Sequence, residues 1–269
     1  MPLHGIFAQM PMTPAYQLLG ADEPSPVLEE GPQRGADFLI TVDHAGARIP
    51  RILGNLGLPA SELQRHIACD LGALSVARLL AASLDAPLLA QIYSRLVIDC
   101  NRDPEVPSSI PTIGENTAIP GNLGLTPAQI EARRAEIFRP YHRRIKEVLE
   151  ARVAAGRPTI LVAQHSMTAI FKGVARPMQA AILYNRDRRF AGLTLDALRE
   201  DKALLVADNE PYFVSDATDY TIPIHGEARR LPHVEIEIRQ DLILEPAGQQ
   251  AWAMRIATAL RTALRRFQS

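Results

Sequence analysis

The sequence predicts an α/β protein, a three-layer α/β/α domain, on three observations. Short runs of buried-strand character (residues 38–44, 95–102 and 159–167) each end in a chemically capable polar residue. Stretches with helical periodicity alternate with these runs. No repeat or break in composition divides the chain, which leaves residues 36–269 as one α/β domain. In open α/β sheets ligands collect outside the carboxyl ends of the strands, so three such ends suggest one shared site.

Residues 1–35 carry six prolines and no sustained period, and read as a partly irregular N-terminal arm. FLITV at 38–42 is the first strand, and it delivers His44 into a loop containing Gly46. Ser61 and Gln64 form a capping-box pattern, and Leu63, Ile67, Leu71 and Leu74 recur at helical spacing. A helix over 61–84 is therefore expected, with His66 and Asp70 on neighbouring faces. Residues 87–92 and 95–99 read as strands. Residues 101–125 form a long loop with four prolines and three glycines. Thr126, Pro127 and Gln129 open a helix that runs to about 155, with a kink expected before Pro140. TILVAQHSM at 159–167 is a buried strand carrying His165. It is followed by strands at 179–184 and 204–207 with a helix at 190–201 between them. Residues 208–232 are irregular, 233–239 form a strand, and 249–267 form an amphipathic last helix.

The composition excludes several classes of function. Hydrophobic residues make up 47% and the formal net charge is −1, so there is no bulk attraction to nucleic acid or to an anionic membrane. The two cysteines, Cys69 and Cys100, form no CxxC pair. No apolar run reaches the ~20 residues of a membrane span. The N-terminus lacks signal-peptide order, and the expectation is a soluble cytoplasmic protein. Ser166 lacks a GxSxG setting, and the glycines at 114–124 match no phosphate-binding fingerprint.

His44 and His165 each end a strand. Brought together with a carboxylate they could hold a divalent metal, and taken singly each is an ordinary hydrogen-bonded histidine. Glu235 and Glu237 share one face of the 233–239 strand. A carboxylate beside an activated water is the usual base of a metallohydrolase, and the alternative is an exposed face. Asn101 and Arg102 suit a clamp on a substrate carboxylate, or else a turn with a salt bridge. Arg95 could stabilise an oxyanion or pair with Asp99 or Asp103.

Together these residues and their neighbours resemble the N-formylglutamate amidohydrolase family. The resemblance is carried in order by VDHAGARIP, HIACDLGA, YSRLVIDCNRDP, QHSMT, ILYNRD, DNEPY and HGEARRLPHVEIEIRQDL, spanning roughly residues 38–244. That family is similar to zinc carboxypeptidases, succinylglutamate desuccinylase and aspartoacylase. The resemblance therefore implies a mixed sheet of the zinc-carboxypeptidase, phosphorylase/hydrolase-like kind, and a bound zinc ion. Residue by residue it implies His44 and His165 as metal ligands, Asn101 and Arg102 as the carboxylate clamp, and Glu237 as base. The Glu expected three residues after His44 is Ala47 here. Asp70 is the proposed third ligand, with Asp43, Glu235 and His66 as other candidates. Arg95 is assigned to the oxyanion, and Lys172 and Arg239 to the substrate carboxylate beside Asn101 and Arg102. The expected reaction is hydrolysis of a small N-acyl amino acid, N-formylglutamate-like, to a carboxylate and a free amino acid. Two alternatives are a non-catalytic carboxylate-binding descendant, suggested by Ala47, and a metallocarboxypeptidase acting on short peptides.

Overall fold

Seven strands form one mixed sheet in the computed structural model, which describes residues 16–32 and 37–269. The strands are β1 (Val27–Glu30), β2 (Phe38–Val42), β3 (Leu88–Gln91), β6 (Ile160–Met167), β9 (Ala180–Leu183), β10 (Val206–Asp208) and β11 (His233–Arg239). Their order is β1-β3-β2-β6-β11-β9-β10. β3, β2, β6 and β11 run parallel, β1 is antiparallel to β3, and β9 is antiparallel to β11. Two small hairpins, β4–β5 (Ile113–Gly114 with Thr117–Ala118) and β7–β8 (Ile170–Phe171 with Val174–Ala175), stand apart from the sheet.

Period-2 alternation sorts the central strands between two cores. Phe38, Ile40, Val42, Val162, Ile182, Val234 and Ile236 face α1 (Ala73–Leu84), α4 (Arg189–Leu198) and α5 (Pro246–Gln268). Leu39, Leu161, Ala163, Ala181 and Leu183 face the opposite layer. That layer is built from α2 (Pro127–Arg133), α3 (Arg139–Ala154) and the chain around residues 93–100. The architecture is thus three layers, α/β/α, with helices burying both faces of the central strands.

Two local expectations are corrected. The helix expected over 61–84 is a helix only from Ala73; Ser61 makes no side-chain cap, and Glu62–Gln64 is a single 3₁₀ turn. Residues 65–72 are instead stitched to other elements: Asp70 N–H donates to the His44 carbonyl (3.0 Å) and Arg95 N–H to the Ala68 carbonyl (3.2 Å). Helical hydrogen bonds would compete for those groups. Gly72 (φ 79°) then starts α1, and any Cβ there would sit 2.4 Å from the Ile243 carbonyl oxygen. The strand expected over 95–99 is a series of turns, because Asp99 N–H is drawn to the Ser109 carbonyl (2.7 Å). The helix continues through Pro140, and an irregularity falls just before it, where the kink was expected. A π-helical stretch, Arg134–Phe138, joins α2 to α3 and absorbs the missing donor within a continuous helix. The Thr126–Gln129 capping box forms as expected. Within the described part of the partly irregular 1–35 arm, two segments are tied to the domain. Val27–Glu30 closes the sheet edge as β1, and Leu18 and Leu19 N–H groups donate to Glu136 (2.9 and 2.7 Å).

Candidate metal and active site

Parallel pairing of β6 with β11 places Ala163 opposite Glu235 and His165 opposite Glu237. All four lie on the α3 side of the sheet, near the strands' carboxyl ends. β6 extends through His165 to Met167, so this histidine belongs to the strand rather than the loop beyond it. His44 leaves the neighbouring β2. Gly46 lets the next turn pack against the exit of β3, where a Cβ would meet the Ile92 carbonyl oxygen at 2.1 Å.

The three residues that the sequence singled out as metal ligands meet. One ligand atom from each of His44, Asp70 and His165 lies within 4.8 Å of the others, and all three side chains are buried. Asp70 Oδ2 is 3.4 Å from His44 Nδ1 and 2.9 Å from His165 Nδ1. The far nitrogen of each ring faces another carboxylate. His44 Nε2 is 2.7 Å from Asp99 Oδ1, and His165 Nε2 is 3.4 Å from Asp43 Oδ2, an ion-pair rather than a hydrogen-bond distance. Asp99 is fixed in turn by Arg95 Nε and Nη2 (3.1 and 2.6 Å), and Asp43 by the Tyr141 hydroxyl (2.7 Å) and Thr221 Oγ1 (2.8 Å). This is the donor set a zinc-type ion takes: two imidazoles and a carboxylate, each ring oriented by an outer carboxylate.

Electrostatics follow from this crowding. Burial alone would lower the pKa of His165, but Glu235, Asp43 and Asp70 raise it well above the usual range. Burial would raise that of Asp70, yet His44 and His165 pull it far down. Glu237 is pushed up to about 7, chiefly by burial, with Asp70 adding and His165 opposing. Both Glu235 and Glu237 are buried with an Oε2 that has no hydrogen-bond partner.

These groups line one cavity of about 520 Å³. Arg95, Asn101 and Arg102 also line it, but most of their polar atoms are engaged. Arg95 pairs with Asp99 and reaches Asp70 at 3.5 Å. Asn101 Oδ1 accepts from Tyr220 and Thr221 N–H (3.0 Å each), and its Nδ2 donates to Asp219 (3.2 Å). Arg102 donates to the Thr218 carbonyl. Lys172 and Arg239 are not part of the lining: Lys172 lies over the Phe171 ring and Arg239 pairs with Asp241. Sequence reasoning named His66 only as a lesser ligand candidate and did not place Glu115, Tyr212 or Asp219 in this cavity. The HIACDLGA and DNEPY segments hold two of them and were the available signal.

The family model described as N-formylglutamate amidohydrolase matches residues 36–244. The chain belongs to that family. It is a hydrolase acting on amide bonds. A gene product of Agrobacterium tumefaciens is 38% identical, with a TM-score of 0.91, the match covering 94% of this chain and 100% of that one. The N-formylglutamate amidohydrolase of Ralstonia eutropha shares the fold at 23% identity and a TM-score of 0.62, over 90% of this chain and 99% of that one. Among curated proteins none matches the chain. No helix among the described residues is long and apolar enough to cross a membrane.

Proposed function

We propose that this amidohydrolase is metal-dependent and cleaves the amide of a small N-acyl amino acid, releasing a carboxylate and a free amino acid. The observation that carries the reading is the convergence of His44 Nδ1, His165 Nδ1 and Asp70 Oδ2 on the floor of a cavity that also holds Glu237. His44, Asp70 and His165 would hold the ion, zinc by the chemistry of the set. Such an ion lowers the pKa of a bound water toward ~7 and polarises the acyl carbonyl.

The chain's own residues do the rest. Glu237, poised near neutrality by burial, takes a proton from the attacking water and returns it to the leaving amine nitrogen. Asp99, accepting from His44 Nε2, holds that ring in the tautomer that keeps its Nδ1 free to bind, and Asp43 faces the Nε2 side of His165. Arg95 keeps Asp99 and Asp70 ionised and their orientation fixed. Arg102 supplies a positive charge for the substrate carboxylate, and Asn101 anchors the 219–221 backbone that borders it. Ala47 does not deprive the site of a carboxylate, because Asp70 reaches the place through its backbone bond to His44. That favours an enzyme over a non-catalytic binder.

Metal analysis of the purified protein, followed by a panel of N-acyl amino acids and short peptides with added zinc, tests the reading. The expected result is close to one ion per chain and turnover that a chelator abolishes. Absence of metal together with no turnover in zinc would overturn it.

A further inference from the structure

One wall of the cavity is aromatic, and it is built from segments outside the main sheet. Phe171 comes from the β7–β8 hairpin, and Tyr212 and Phe213 come from the chain after β10. Tyr212 is 38% exposed and Phe213 65%, and neither lies in a helix or strand. No ladder of backbone hydrogen bonds therefore sets where these two rings stand. The wall adjoins the reacting groups. Burial and then the charge of Glu237 raise the pKa of the Tyr212 phenol, while Arg176 and Arg95 oppose them, which puts this ring beside the proposed base.

One buried side chain joins the two segments. The Arg176 guanidinium lies over the Phe171 ring at 4.9 Å and over the Tyr212 ring at 4.6 Å. Arg176 is 7% exposed, and among the described residues no carboxylate is within ion-pairing distance of it. Its partners are neutral: the two rings, the Tyr212 hydroxyl and the Thr168 carbonyl at 3.4 Å. Arg133, the other extreme, is held by close hydrogen bonds to the Val97 carbonyl (2.8 Å) and Asn122 Oδ1 (2.7 Å). For Arg176 the ring faces take the place of such bonds, and a cation between two of them is attracted by both, more strongly where water is excluded. The base of the residue is fixed. Its N–H donates to the Ala169 carbonyl (2.8 Å), and its carbonyl accepts from Arg239 Nη1 (3.1 Å) at the end of β11.

We propose that Arg176 is a positioning residue for substrate binding, clamping Phe171 and Tyr212 into one wall against which the substrate packs. The inference rests on the amidohydrolase reading above. Arg176 is not itself part of the lining, so its effect passes through the two rings. A wall that is set before the substrate arrives does not have to be ordered on binding. The wall touches substrate and transition state alike, so loss of the clamp weakens both equally. That raises KM and leaves kcat where it was.

The test uses zinc-loaded enzyme with N-formyl-glutamate, or with the best-used member of the panel above. Arg176→Met keeps the unbranched stem and removes the guanidinium; Arg176→Lys keeps the charge. In Arg176→Met, KM should rise about tenfold, with kcat within about twofold of wild type and metal content unchanged. Arg176→Lys should recover part of the loss, because an ammonium also binds a ring face. An unchanged KM, a fall in kcat at constant KM, or a lysine variant no better than the methionine one would overturn the inference. Should Arg176→Met not fold, Phe171→Leu and Tyr212→Leu approach the clamp from its other side. Each should raise KM, and the two together should exceed the worse single variant by no more than about twofold. Multiplicative losses would mean that the rings act independently, against the proposal. If the wild type turns over no member of the panel, the amidohydrolase reading is what fails, and hydrogen exchange decides the clamp. Arg176→Met should then lose protection at both 169–175 and 209–214, and equal protection in the two proteins counts against it.

Discussion

Two pairs of buried histidines lie in this protein, and they are held in opposite ways. His44 and His165 sit edge to face at 5.2 Å among Asp70, Asp99 and Asp43. His142 and His225 stack at 5.2 Å and 12°, and their polar partners are neutral. His142 Nε2 donates to the Cys100 carbonyl (2.7 Å), which leaves its Nδ1 to accept from His225 Nε2 (3.0 Å). Burial lowers the pKa of both rings of the second pair, to about 4 for His142 and about 3 for His225. Burial acts equally on the first pair, but carboxylates reverse its sign. The contrast teaches that burial alone does not make a histidine a ligand. Carboxylates on both sides of the rings make a place for positive charge, and only the first pair has one.

The contrast can be broken most severely by removing a ring. His165→Ala should lose bound metal to background together with turnover, whereas His142→Ala should keep its metal content, and elemental analysis of the two proteins decides. Glu237→Gln sharpens it next: metal content should stay at the wild-type level while kcat falls by about 10²–10⁴-fold. Full activity in that variant would withdraw Glu237 as base. Asp99→Asn leaves all three proposed ligands in place but weakens the orientation of His44. Metal affinity measured by chelator competition should fall by about 10–100-fold.

The smallest effect belongs to the second pair and to pH. A ring whose folded pKa lies below its unfolded value of about 6.5 takes up protons first in the unfolded chain. Stability is therefore unaffected above pH 6.5 and declines as pH falls toward the folded value, by about 2 kcal/mol per ring at pH 5. His225→Gln retains a donor for His142 and removes one titrating ring. Urea unfolding at pH 7 and pH 5 should show a smaller acid loss in the variant by about that amount. An equal loss in both proteins would show that the pair does not titrate as its burial demands.

Much of the site was legible because strand ends are. Alternation fixes which residues of 160–167 and 233–239 share a face, so His165 and Glu237 could be placed together from sequence. Asp70 was picked out as a candidate ligand, but for a mistaken reason. It does not project from a helix, and it is delivered by a turn bonded to His44. The role of Asp99 was hidden, because it depends on the turns at 94–102 that the apolar alternation disguised as a strand. Two-residue strands have no period, so the hairpins at Ile113–Ala118 and Ile170–Ala175 read only as loop. Arg176 stacks on the rings of Phe171 and Tyr212, one of them far away in sequence, and no spacing announces such a contact. Lys172 and Arg239 had the right charge, but the chain directs them away from the cavity.

The π-helical stretch at Arg134–Phe138 acts as a phase adjuster. An α-helix advances by about 100° per residue, so one residue more or fewer between α2 and α3 rotates everything beyond it by that angle. On one side of the stretch Ala132 and Arg133 are buried; on the other Tyr141, His142 and Ile145 are. Both faces point inward only with the wider turn between them. Tyr141 is the residue that grips Asp43, and Asp43 faces His165. The angular setting of one helix is thereby geared to the aim of a ring on the central sheet. Loss of a single residue from that stretch would turn the gear by one tooth, leaving every catalytic side chain present in the sequence and its support facing elsewhere.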